Sequence, residues 1–135
     1  MSVLTELFVA PAESAKSYDT MSGSRFERVQ LGGLTNLEFE TLWAIVEGED
    51  WDAEKHALRE VTSSENSWVH EFPRRYLEVL GALSDRTKQT AAATWAATEE
   101  ISSTPAEVSP VIDHLVVLSR SATQKGQGLF VWTSV

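Results

Sequence analysis

The chain predicts an α+β domain, mostly helical, in which a small sheet is formed by N- and C-terminal strands and helices pack against it. Three observations lead there. Leu129-Phe130-Val131-Trp132-Thr133 near one end and Leu7-Phe8-Val9 near the other are β-prone runs. Between them, apolar side chains recur at three- and four-residue spacings in segments bounded by capping residues and glycine. The length of 135 residues suits one ordinary domain, residues 1–135, and no internal repeat, heptad pattern or low-complexity run divides it.

Val3 to Ala10 reads as the first strand, stopped by Pro11. Pro11 to Met21 contains Ala12, Glu13, Ala15 and Lys16, fair helix formers, so a short helix is expected there before Ser22-Gly23-Ser24 breaks it. In Arg25 to Leu31, Val29 and Leu31 alternate with polar or charged neighbours, which suits an edge strand ended by Gly32-Gly33. Thr35 and Glu38 have the capping-box spacing, so a helix opens there; Leu42, Trp43, Ile45 and Val46 continue its apolar face, and Gly48 stops it.

Asp50 is placed to cap a second helix over Trp51 to Val61, with Asp52 and Glu54 in its first turns and Arg59 near its end, as the helix dipole prefers. Thr62 to Ser67 is a polar loop. Trp68 and Phe72 then lead into Pro73, the expected first residue of a helix reaching about Leu83 with Tyr76, Leu77, Val79 and Leu80 on its buried side. Ser84 or Asp85 caps an alanine-rich helix through Ile101, with Trp95 as its one large side chain, and Ser102 to Pro105 is a linker. Ser109 and Pro110 open the last helix, whose stripe is Val111, Leu115, Leu118 and Ala122 and whose end is Gly126. Leu129 to Val135 is the closing strand. Both its faces are largely apolar, so it calls for cover on both sides.

Twenty acidic residues against eleven basic ones give a formal net charge of −9, which opposes non-specific binding to nucleic acid or anionic lipid. A basic protein is the natural complement, and plain solubility explains the same excess. With no cysteine, disulfides and thiolate chemistry are ruled out. Met1 to Ala10 lacks a basic leader and its apolar run is short, which points to a cytoplasmic protein without a membrane span. No phosphate loop, Gly-x-Ser-x-Gly elbow, His-Glu-x-x-His helix or EF-hand spacing is present, so neither a cofactor nor a catalytic set is expected. Gly126-Gln127-Gly128 precedes a strand and reads as a turn. His56, His70 and His114 show no ligand spacing, and no metal site is expected from them.

Two groups of residues remain as candidate sites. Glu47, Glu49, Asp50, Asp52 and Glu54 surround Trp51 in sequence, a composition suited to a basic protein partner because the ring supplies contact area and the charges supply fast, salt-sensitive association. Helix capping accounts for the same carboxylates. His70, Arg74, Arg75 and Tyr76 lie at the start of the Pro73 helix, where two arginines oppose the dipole; a bound anion would offset them, and so would an internal salt bridge to the acidic run. Of the five tryptophans, Trp51 and Trp68 flank the polar loop and are the ones placed to line a groove. Two functions follow as expectations: a non-enzymatic acidic protein-binding module of the immunity or inhibitor kind, or a small-molecule anion binder or minor enzyme using the histidine and arginine cluster.

Overall fold

A computed structural model describes residues 3–18 and 26–135. Among these the chain runs β1 (Leu4–Ala10), α1 (Ala12–Ala15), β2 (Glu27–Gly32), α2 (Asn36–Glu47), β3 (Arg59–Ser63), β4 (Ser67–Glu71), α3 (Arg74–Gly81), α4 (Asp85–Ala96), α5 (Pro105–Lys125) and β5 (Gly128–Ser134). The strands form one antiparallel sheet in the order β2-β1-β5-β4-β3. The fold is therefore α+β, but the sheet is larger than a pairing of terminal strands: β1 and β5 are its centre, flanked by β2 and by the β3–β4 hairpin.

Registered residues on adjacent strands share a face, so the pairing Leu7 with Val131 and Val9 with Leu129 puts these side chains together. They meet the helices in a core that includes Phe39, Leu42, Tyr76, Leu80, Trp95, Ile112 and Leu115. The other face carries Phe8, Phe130, Trp132 and Val69, covered by Ala15 and Tyr18. The Tyr18 ring stacks on Phe8 with centroids 3.7 Å apart. Cover on both sides is what the apolar β5 demanded. Beneath Tyr18, the buried carboxylate of Glu6 accepts from the tyrosine hydroxyl and from Gln30 Nε2 at 2.8 Å, and it pairs with Arg28 at 3.3 Å. Burial first, and this bond to Glu6 second, raise the Tyr18 pKa well above that of an ordinary tyrosine.

Helix α2 opens on the Thr35–Glu38 capping box and closes on Gly48 at φ 69°; Gly126 closes α5 in the same left-handed geometry. Elsewhere long-range contacts override local signals. No helix spans Trp51 to Val61. Asp52 Oδ1 accepts the Glu54 and Lys55 N–H groups at 2.8 and 3.0 Å, which closes a single turn over residues 53–56. The buried Glu40 carboxylate then takes the Leu58 N–H at 2.9 Å, and β-branched Val61 and Thr62 enter β3. Residues of the expected polar loop make the hairpin turn, where Ser64 N–H donates to the Ser67 carbonyl at 2.8 Å, and Trp68 belongs to β4.

Helix α4 ends at Ala96 rather than Ile101, where the Thr98 hydroxyl caps the Trp95 carbonyl at 2.7 Å and Glu99 and Glu100 would oppose the dipole. Helix α5 begins at Pro105, not at Ser109 and Pro110, because Thr104 accepts the Glu107 N–H at 3.3 Å in a better N-cap. Pro73 caps α3 from outside rather than starting it. Helix α1 spans four residues; the expected break at Ser22-Gly23-Ser24 lies outside the described residues.

Candidate functional site

The acidic run falls on the end of α2 and the loop joining it to β3. Residues 49–55 are exposed, and Trp51 stands with 50% of its surface in solvent. Such a loop needs an internal anchor to hold a shape, and the anchor is His56, completely buried against Trp43 in an edge-to-face contact with centroids 5.5 Å apart. Its Nδ1 accepts the Asp52 N–H at 3.0 Å, while the His56 N–H donates to the Asp52 carbonyl at 2.9 Å. The two bonds clamp the turn at both of its ends.

The opposite ring nitrogen decides the chemistry of the neighbourhood. His56 Nε2 lies 3.7 Å from Glu49 Oε1 and 3.9 Å from Glu47 Oε2, and Nε2 and Glu47 Oε2 are both buried without a hydrogen-bond partner among the described residues. Ligand atoms of Glu47, Glu49 and His56 all lie within 4.8 Å of one another, the spacing of a small metal centre. The tautomer argues differently. Because Nδ1 is occupied as an acceptor, the neutral ring carries its proton on Nε2, so it offers the carboxylates a proton and not a lone pair. A metal-binding histidine has the reverse arrangement, with the non-ligating nitrogen donating. The cluster is built as a clamp.

Glu47 and Glu49 are also occupied by cations. Arg75 Nε donates to Glu47 Oε1 at 2.8 Å, and Lys55 bonds Glu49. Lys55, followed by the Glu47 contact, lowers the pKa of Glu49 below that of an ordinary carboxylate. Asp52 is held low by the two backbone N–H groups it accepts. The side chains of Asp50 and Glu54 have no hydrogen bond or ion pair among the described residues. The five carboxylates of the acidic run with their partners Lys55 and Arg75 carry a net charge of −3, and Arg86 stands across the neighbouring groove. Beside it, the end of α2 and the exposed face of α4 enclose a shallow groove of about 510 Å³, lined in part by Ile45, Val46, Thr87 and Thr90.

The second candidate group is dispersed. Tyr76 is buried, its hydroxyl donating to the Phe39 carbonyl at 2.6 Å and its ring stacked on Trp43 at 4.9 Å. Arg75 reaches the acidic run, the internal salt bridge that offsets its place in the first turn of α3. Arg74 is exposed, 3.7 Å from Glu78, and lines a cavity with Glu71, Phe72 and Gly128. His70 is buried on β4 and lines a separate cleft. The residue that sequence reasoning did not assign to a site is His56, since nothing in its spacing separates it from an ordinary core histidine. No protein-family model, curated protein or solved structure matches the chain.

Proposed function

We propose that the protein is a non-catalytic binding module that captures a basic protein partner through the α2–β3 loop, in the manner of an immunity or inhibitor protein. The observation that carries this is Trp51, half exposed on a loop whose shape is imposed by a buried histidine. Tryptophan supplies a large contact area with few rotatable bonds, and a loop backbone already fixed by internal hydrogen bonds has less ordering left to undergo on binding. The carboxylates of Asp50, Asp52 and Glu54 are exposed around it in the loop, and those of Asp50 and Glu54 have no partner among the described residues. No helix exists there for Asp50 to cap, so capping does not account for it. The groove beside α4 extends the contact area with apolar and threonine side chains.

The test is affinity capture from a lysate of the source organism at low and high salt, repeated with Asp50→Asn/Asp52→Asn and with Trp51→Ala. Asparagine preserves the side-chain acceptor that shapes the turn, so the double variant removes charge and keeps geometry. A basic protein retained at low salt, released at high salt and lost from both variants is the expected result. Undiminished capture by the double variant would sink the reading. Truncating a central interface tryptophan costs about 2 kcal/mol or more, so Trp51→Ala should weaken the complex by about 30-fold.

A further inference from the structure

A cleft of about 420 Å³ opens where the start of α2 faces the sheet; Asn36, Leu37, Glu60, Trp68, His70 and Thr133 line it. Its chemistry is one-sided. Glu60 stands opposite His70 in the β3–β4 register, and the carboxylate of Glu40 lies close enough to act electrostatically on the same imidazole. Neither carboxylate has an ion-pair partner among the described residues. Glu40 is only 5% exposed, and its Oε2 accepts two hydrogen bonds, from the Asn36 amide at 3.1 Å and the Leu58 N–H at 2.9 Å. A buried carboxylate satisfied only by neutral donors projects an uncompensated negative field. The cleft lining contains no lysine or arginine.

His70 adds a second unmatched group. It is 8% exposed, and its Nδ1 is buried with no hydrogen-bond partner among the described residues. Burial lowers its pKa below that of an ordinary histidine despite the opposing influence of Glu60 and Glu40, so at neutral pH the ring adds no positive charge of its own. Half-buried Trp68 supplies a π surface in the wall, and Leu37, 56% exposed on the first turn of α2, supplies an apolar lip.

We infer that this cleft binds a small organic cation, a protonated amine carried on an apolar or aromatic body. An aromatic wall, a carboxylate rim and a lining without lysine or arginine are features that recognise an ammonium group, and the volume is that of a small-ligand site. Glu60 and Glu40 outweigh the partial positive charge of the α2 N-terminus. The inference is independent of the Trp51 loop.

The probe is phenethylamine, titrated into the full chain and read by NMR at the Trp68 indole N–H and the Thr133 amide. Saturable shifts at both are expected, with 2-phenylethanol, the uncharged counterpart, binding at least about five-fold more weakly. Glu60→Gln, a change at an exposed side chain, should weaken the amine about three-fold, and Trp68→Leu, read at Thr133, about five-fold. Trp51→Ala should leave the affinity unchanged. Equal binding of the alcohol, an unchanged affinity in Glu60→Gln, or no saturable shift would each overturn the assignment. Nα-acetyl-lysine methylamide tests a protein-borne ammonium in place of a free aromatic one: weaker binding than phenethylamine supports the small-molecule site, and tighter binding overturns it.

Discussion

His56→Ala isolates the clamp that shapes the acidic loop. The substitution removes a completely buried ring, together with its edge contact on Trp43, and leaves the Asp52 N–H without its acceptor. Large-to-alanine changes in a core cost about 2–5 kcal/mol. The orphaned N–H would add about 1–3 kcal/mol if it stayed dry, but Asp52 is exposed and water can reach it. About 3 kcal/mol is therefore expected, which for a chain of this length lowers Tm by roughly 10 °C. Urea unfolding measures the loss. His56→Phe separates the two causes: it restores ring volume without an acceptor, so its cost should fall to about 1 kcal/mol. Hydrogen exchange provides the local reading, because the Asp52 amide should be protected in the parent and exchange faster in both variants. If the Asp52 amide exchanges at the parental rate in His56→Phe, or if His56→Ala is as stable as the parent, the histidine does not hold the loop.

Two pH responses follow from burial. The chain has two tyrosines, and both Tyr18 and Tyr76 are raised above the ordinary value of 10.0, each chiefly by desolvation. A folded pKa above the unfolded one means the stabilisation is fully present below pH 10 and is lost as pH rises through the folded values. An absorbance titration at the tyrosinate band should thus show no ionisation near pH 10 while the fold persists; one tyrosine ionising there in the folded protein would refute the burial argument. His70 has the opposite sign. Its folded pKa lies below the ordinary 6.5, so the unfolded chain takes up its proton first and stability falls as pH drops through 6.5 toward the folded value. His70→Asn should flatten this acid limb in urea unfolding measured from pH 7 down to about pH 5, and an unchanged limb would show that His70 is not desolvated.

Local signals were sufficient wherever a segment's own residues satisfied its backbone. The Thr35–Glu38 box and Gly48 frame α2 without help from elsewhere, and the continuous apolar run Leu129-Phe130-Val131-Trp132 announces a strand needing cover on two faces. Pro110 shows the limit of such signals. Ser109-Pro110 has the form of a helix start, yet Thr104-Pro105 with Glu107 has the same form one turn earlier and also extends the apolar stripe to Val108 in the core. The earlier start buries more, and Pro110 is carried inside. The β3–β4 hairpin is hidden for another reason: Ser67-Trp68-Val69-His70-Glu71 alternates over only five residues, and the local signals of its partner across the turn are those of a helix end and a polar loop.

The helical signal ahead of that partner arises because the acidic run obeys two rules at once. A carboxylate ahead of Trp51, others in the next turn and Arg59 further on form both a well-charged helix start and an acidic, aromatic contact surface, with the same residues at the same spacing. The choice between them is made at a distance. Glu40, eighteen residues before Leu58, takes the Leu58 N–H, and the β4 strand takes Arg59 onward. Once those backbone groups are committed, only one turn can form, and Asp52 rather than Asp50 satisfies it. Asp50 is then left with no helix to cap and no ion pair among the described residues, beside the half-exposed Trp51 on a loop whose turn His56 clamps. The contact that removes the helix is thus also the one that leaves Asp50 without a helix to cap, while Glu47, Glu49 and Asp52 keep internal partners.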